Sequence, residues 1–512
     1  MAVSDCIITR GRVPPPAFGP ARQGPGACGA RICAYAGTRQ NVFKREESMQ
    51  TRKRTHHMMD MTQGNPTGLL LRFMVPLLVG NIFQQVYSMV DMMIVGRYIG
   101  PDALAAVGAT NSLSFLFFSL CSGLASGVGI LIAQAFGAER PDTVKRVITN
   151  AVYIMASAAL VMGGLGFGLA RTVLGLIGTP ENIMDQAVIY MQVRCAGVIA
   201  VSMYNCVSSI LRGVGDSRTP LFFLVAASIL NVFLDLFFIR SLGWGVGGAA
   251  GATIIAQALS AVGCFMYASR HNPMFILDRS MWKPNATLIR QCFRIGVPLA
   301  AQSSMVALSL IALQSVVNSF GSVVGAAFTA TSRVEALVQQ PFMSMFAALS
   351  TFTGQNIGAN KSERVGEGFR HAVLLILAFA AAMTLAFQLF SPWVMGLFVD
   401  AEQGAEVIRY GAHGLRLTTW FLAPLGMIYA CRGVLNGSGD SAFSLISGAC
   451  EMVGRVAFPK PLTMIPSIGV WGIWLGTAFT WTLVAAAGFL RYRGGAWRKK
   501  AAITREQSEP AD

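Results

Sequence analysis

The sequence predicts an all-α polytopic membrane protein, with twelve transmembrane helices in two six-helix bundles related by an internal repeat. Three observations predict it. Charged residues make up 12% of the 512-residue chain, about half the share of roughly 25% usual in soluble domains. The residues A, V, I, L, M, F, W, Y and C make up 54%, and 54 glycines extend that apolar share. From Leu69 onward, long apolar runs alternate with short polar breaks, and a helical span needs about 20 such residues. So few charges cannot cover a soluble surface of this size. That excludes a cytosolic enzyme, a nucleic-acid-binding module and a disordered chain.

Residues 1–64 stand apart. They hold Pro14, Pro15 and Pro16, many glycines and ten Lys/Arg, with no apolar stretch of signal-peptide length. The segment reads as a disordered basic tail or an over-extended start, with Met49, Met58, Met59 and Met61 as alternative initiators. An N-terminal bundle is expected over 65–285, a C-terminal bundle over 286–495 and a tail over 496–512. The first six helices fall at about 69–96, 103–136, 147–170, 187–211, 219–239 and 245–269. Ala103–Ala138, Ala151–Ala170 and Leu242–Ser269 carry no charge. Ile295–Ser332 is also uncharged but too long for one span, and it breaks at Asn318-Ser-Phe-Gly321. The second six helices then fall at about 293–318, 323–353, 370–397, 407–431, 441–458 and 468–490, with Ala372–Val399 uncharged. Pro76, Pro298, Pro341 and Pro424 lie within spans, where kinks can serve as hinges.

The formal net charge of +16 resembles a nucleic-acid signal until it is sorted by position. With the N-terminus inside, the inner loops and C-terminal tail collect 20 Lys/Arg, Arg212 and Arg432 counted among them; the outer loops collect 4. This bias places both termini in the cytoplasm, and a multi-pass protein of the cell membrane is expected. No nucleic-acid partner is expected. Seven cysteines lie in or beside apolar segments without paired spacing, as free thiols do.

The two halves match in order. Val75-Pro76 pairs with Val297-Pro298, and Gln134-Ala-Phe-Gly-Ala138 with Gln355-Asn-Ile-Gly-Ala359. Leu211-Arg-Gly-Val-Gly-Asp-Ser217 pairs with Leu435-Asn-Gly-Ser-Gly-Asp-Ser441. Gly245-Val-Gly-Gly-Ala-Ala-Gly-Ala-Thr253 pairs with Gly469-Val-Trp-Gly-Ile-Trp-Leu-Gly-Thr477. The offset stays between 221 and 224 residues throughout. Six helices per repeat insert both halves the same way round, with a substrate path expected between them.

Carrying these motifs, with Val90-Asp-Met-Met-Ile-Val-Gly-Arg97 and Thr219-Pro220, the chain resembles the multidrug and toxic compound extrusion (MATE) family over about residues 65–490. The resemblance implies alternating access between two bundles. It also implies export of cationic or amphipathic small molecules, driven by inward H⁺ or Na⁺. No other cofactor and no enzyme activity are expected. The partners are small-molecule substrates and the bilayer, and the chain is expected to work as a monomer.

Four acids fall within the spans: Asp91, Asp235, Glu335 and Glu451. An ionised carboxylate at the bilayer centre costs at least about 2.5–3.5 kcal/mol, so it should face a cavity or a partner. Asn231 and Asp235, four apart, share a helix face and make a hard-oxygen pair for Na⁺ or a proton site. Thr253 could add a hydroxyl. In similar transporters a cation site joins an Asp on the first helix, an Asn and Asp four apart on the fifth and a Thr on the sixth; by motif these fall on Asp91, Asn231, Asp235 and Thr253. No other metal site is expected. The second half departs from this pattern. The repeat sets Ala312 or Leu313 opposite Asp91, Arg455 opposite Asn231 and Pro459 opposite Asp235. Glu451 and Arg455, four apart, are expected to pair, or to form a hydrophilic patch in a central cavity. Gln84, Asn205, Gln257, Gln302 and Gln339 are candidate cavity-lining residues.

GxxxxGK[ST] is absent, which argues against ATP-driven transport. One rival reading is a lipid-linked precursor flippase of related fold, which predicts a strongly cationic central cavity. Another is a membrane enzyme, but the five histidines are scattered without a catalytic pattern.

Overall fold

The computed structural model describes residues 58–398 and 404–503. Among them all regular structure is helical. The first half comprises α1 (Pro66–Tyr98), α2 (Pro101–Gly137), α3 (Pro141–Leu176), α4 (Glu181–Ala196), α5 (Val198–Gly213), α6 (Arg218–Leu236) and α7 (Gly245–His271). A π-helical turn, Phe237–Ser241, prolongs α6. The second half comprises α8 (Ala286–Asn318), α9 (Ser322–Val338), α10 (Gln340–Gly358), α11 (Ser362–Gly396), α12 (Ala405–Thr419), α13 (Leu422–Gly437), α14 (Ala442–Ala457), the short α15 (Pro459–Thr463) and α16 (Gly472–Arg493).

Each half opens on an asparagine cap. Asn65 accepts from the Thr67 backbone N–H ahead of α1, and Asn285 accepts from that of Leu288 ahead of α8. Among the described residues, eight helices are long and apolar enough to cross a bilayer. The pair α4/α5, bent by 46° at Gly197, is a ninth, broken span. The pairs α9/α10 and α12/α13 are likewise interrupted, and α14 completes the twelve. The expected break after Asn318 is where α8 ends.

Three predicted helices are thus two pieces each. Pro341 and Pro424 lie not inside a kinked helix but in the first turn after a break. Proline is tolerated there because its missing N–H has no intrahelical partner to lose. Pro76 and Pro298 do sit inside continuous helices.

Exposed apolar side chains mark the bilayer-facing surface. On α11, for example, Leu374, Leu385, Leu389 and Trp393 all point outward. The interior divides along the molecule. Near the face where the described chain ends lie, α1 crosses to the second half, and Leu70, Phe73 and Leu77 are buried with Val334, Phe342 and Leu349. The start of α8 does the reverse, burying Cys292, Ile295 and Leu299 with Leu124, Val128 and Leu131 of α2. Small residues permit this crossing: a Cβ on Gly127 would stand 2.7 Å from the Gly296 backbone. Toward the far face, each apolar cluster belongs to one half alone.

Two expectations about the termini change. The segment expected to be disordered through residue 64 is packed from Met58, and Met61 is fully buried. The expected tail begins with a packed turn, Ala496–Lys499, and buries Trp497 and Ile503. Residues 1–57 and 504–512 lie outside the described residues.

Candidate functional site

Four polar constructions stand out among the described residues, two within single halves and two between them. The first is in the first half, toward the far face. Asp91, late on α1, and Asp235, near the end of α6, stand close enough for each carboxyl to act directly on the other. Asp235 is fully buried, and Asn231 one turn before it is 2% exposed. Among the described residues, neither Asp235 oxygen, nor Asp91 Oδ1, nor either polar atom of the Asn231 amide has a hydrogen-bond partner. Two acceptor groups facing each other at such depth need a shared proton or a cation between them. Thr253 is buried on α7, but its hydroxyl donates to the Ala249 carbonyl of its own helix (3.2 Å). Arg194 on α4 stands near enough to act electrostatically on Asp91. Its guanidinium lies over the rings of Phe118 (4.9 Å) and Tyr190 (5.9 Å). Its Nε is buried without a partner among the described residues.

The second is a cavity of about 290 Å³ inside the second half. Here Glu451 receives Arg455 (2.9 Å) and Arg432 (2.8 Å) at once. The expected Glu451–Arg455 pair is present, with an unforeseen third member. Arg455 also donates to Ser309 (3.2 Å), and Arg432 to Ser447 (2.9 and 2.8 Å). Glu335 stands beside Thr418 and Arg455, and Tyr429 donates to Gln339 (3.2 Å). Glu451 is thus matched by two arginines, unlike the acid pair of the first half.

The third is a cavity of about 390 Å³ between the halves. Its lining includes Gln302, Tyr429, Asn436, several serines, and the apolar Phe115, Leu299, Met343 and Phe346. It also includes Arg212 and Arg432. Counting these two as loop charges was wrong: they sit in the last turns of α5 and within α13, facing inward. Adjacency to Gly-rich turns hid them, because a loop and the last helical turn before it look alike in sequence. Of the candidate lining residues, Gln302 borders this cavity, while Gln339, Glu451 and Arg455 border the second-half cavity. Gln84, Asn205 and Gln257 border neither.

The fourth closes the floor of the central cavity. Gln134, ending α2, donates to the Gly437 carbonyl of the other half (3.0 Å). Gln355, ending α10, donates to the Gly213 carbonyl of the first (3.1 Å). Each glutamine oxygen is taken by a terminal segment: Gln355 accepts from Met61 N–H (2.8 Å), and Gln134 from Ala502 N–H (2.9 Å) and Ile503 N–H (3.3 Å). The backbones touch, since a Cβ on Gly137 would run into the Gln355 carbonyl and one on Gly358 into that of Gln134. Gly215 and Gly439 turn the chain at φ +88°, a conformation that favours glycine. Asp216 then caps α6 through Arg218 and Thr219 (both 3.0 Å), while Asp440 holds Arg491 (2.8 Å). Two of the repeated motifs are therefore the two sides of one reciprocal latch. The repeat was legible in sequence, but its contacts across the halves were not.

A family model described as MatE matches residues 76–237 and again 298–458, once in each half. A probable multidrug resistance protein, YpnP, of Bacillus subtilis is 27% identical over 443 residues, covering 86% of this chain and 97% of its own. Another from that bacterium, YoeA, is 29% identical over 439 residues, covering 84% and 93%. A crystal structure of a MATE protein in complex with MaL6 shares the fold, with TM-score 0.81 at 24% identity over 86% of this chain and 99% of that one. The two matches span both glutamines of the latch, the Asp91–Asp235 pair and the Glu451 cluster, so the chain belongs to the multidrug and toxic compound extrusion family of membrane efflux transporters.

Proposed function

We propose that the protein is a secondary antiporter that exports amphipathic small molecules in exchange for inward H⁺ or Na⁺. The observation that carries this reading is half-buried Asp91 facing fully buried Asp235 with Asn231 beside them, buried carboxyl and amide atoms without a hydrogen-bond partner among the described residues. Binding a proton or Na⁺ there removes the penalty of buried like charges. Loss of the cation restores that penalty, so occupancy favours one arrangement of the first half over another. Transport then proceeds by alternating access between the halves. The face bearing the described chain ends is assigned to the cytoplasm by the loop-charge bias, and both termini with it. On that assignment the latch seals the cytoplasmic side, and the central cavity communicates with the outside. The membrane is the cell membrane, and one chain suffices.

The test is export of a fluorescent amphipathic dye from cells carrying Asp91→Asn or Asp235→Asn, followed by proteoliposomes under an imposed pH or Na⁺ gradient. Each substitution should abolish gradient-driven export. Wild-type activity in both variants would falsify the coupling site.

A further inference from the structure

We propose that the central cavity accepts an amphipathic organic anion, an apolar or aromatic body bearing a carboxylate, sulfonate or phosphate group, and that Arg212 anchors the anionic group. This deepens the transporter reading and rests on it for the direction of transport, though not for binding. Among the described residues lining the cavity there is no Asp or Glu, while Arg212 and Arg432 both line it. The two arginines are not equivalent. Arg432 is committed to Glu451 (2.8 Å), to Ser447 and, with its amide turned oxygen-in, to Gln302 (2.6 Å). It shares Glu451 with Arg455, and its donors are already engaged. Arg212 donates to the Ser209 hydroxyl (2.8 Å), and no carboxylate lies within ion-pair distance of it among the described residues. The nearest acid in sequence, Asp216, is engaged by Thr219 and Arg218.

A guanidinium offers a planar fork of donors that matches carboxylate or phosphate oxygens. The hydroxyls of Ser126, Ser209 and Thr351 and the amide of Asn436 supply neutral hydrogen-bonding groups around it. Phe115, Met343 and Phe346 supply the apolar wall for the rest of the molecule. The volume of about 390 Å³ is within the range of sites for drug-sized ligands. A cation entering this space meets an unbalanced positive charge and no acid lining the wall. The position also links cargo to conformation, because the residue after Arg212 is Gly213, whose carbonyl is held by Gln355 in the latch.

The experiment uses the full chain, purified, with carboxyfluorescein as the aromatic anion and ethidium as the aromatic cation. Equilibrium binding is read by fluorescence polarisation in detergent, and transport in proteoliposomes. The expected result is saturable carboxyfluorescein binding that weakens at least about 10-fold in Arg212→Gln and less in Arg212→Lys, the change from a bidentate to a point charge. Gel filtration and thermal unfolding establish that each variant is folded; if Arg212→Gln is not, the Arg212→Lys loss decides. Unchanged anion affinity in the folded variant overturns the proposal, as does binding of ethidium with none of carboxyfluorescein. Ethidium export abolished by Asp235→Asn, without anion binding, would leave the antiporter reading standing and this inference lost. Arg212-dependent anion binding without gradient-driven transport would support the inference and remove the antiporter.

Discussion

Asp235 and Glu451 are both buried acids on the penultimate long helix of their halves, yet they do opposite things. Asp235 faces another acid and lacks a protein donor among the described residues, whereas Glu451 is held by two arginines. Removing the charge of Glu451 leaves Arg432 and Arg455 without their counter-ion. Glu451→Gln should therefore destabilise by about 3–5 kcal/mol, the effect of breaking a buried pair from one side. A fall in thermal midpoint in detergent measures it, and a midpoint unchanged would count against the cluster as a structural element. Arg194 acts on Asp91 as a fixed positive charge and so competes with the coupling cation. Arg194→Gln should lower the half-saturating cation concentration by roughly 3- to 10-fold, equivalent to about 1 kcal/mol. Transport titrated against Na⁺ or pH in proteoliposomes reads this directly. Spacing alone made Asn231 and Asp235 legible, since four residues return to one helix face. Nothing local joins Asp91 to them, because that contact is between helices. Only the family resemblance placed it.

The helix ends carry the moving parts. Each latch glutamine reaches a carbonyl in the other half, and each QxxGA glycine lets the facing backbone in. A buried hydrogen bond contributes about 1 kcal/mol, so the pair biases the closed floor by about 2 kcal/mol. Gln134→Ala with Gln355→Ala should raise the rate at which Ser350→Cys, on the cavity floor, is labelled by an impermeant maleimide from the latch side. Roughly 5- to 30-fold is expected from one to two kcal/mol. Gly137→Ala should act the same way through its clash with Gln355. Equal labelling rates would mean that the latch holds nothing shut. Sequence periodicity found the spans but read the α4/α5, α9/α10 and α12/α13 pairs as continuous. An apolar run looks the same whether its helix is whole or broken, and Gly197, Pro341 and Pro424 were too few cues to fix the breaks.

At the scale of the whole molecule, the constant repeat offset revealed the two-fold plan, and the structure shows where the plan is broken. The framework is repeated, with paired caps, paired crossing helices and paired latch glutamines. The ionisable chemistry is not, for the unmatched acids lie in the first half and the matched cluster in the second. The charge count failed to locate the central cavity because it sorted residues by loop or span, and Arg212 belongs to the boundary. Deleting residues from Ala501 onward removes both N–H donors to the Gln134 oxygen but leaves the Met61–Gln355 contact intact. The truncated chain should therefore loosen one side of the floor, with an intermediate labelling rate in the same maleimide assay. A rate equal to that of the full chain would show that the terminal segment is a passenger.

The exchange of helices between halves also constrains how the protein is made. Leu70, Phe73 and Leu77 belong to a core whose other buried members, Met61 apart, lie more than 200 residues further along the chain. Met61 waits for Gln355, and Gln134 waits for Ala502. During synthesis the opening helix enters the bilayer with one flank uncovered, and no early intermediate can satisfy it. A segment made 368 and 369 residues later, Ala502 and Ile503, completes the contact with Gln134 of the second helix. Closure of the floor therefore requires that the chain has been made and threaded through Ile503.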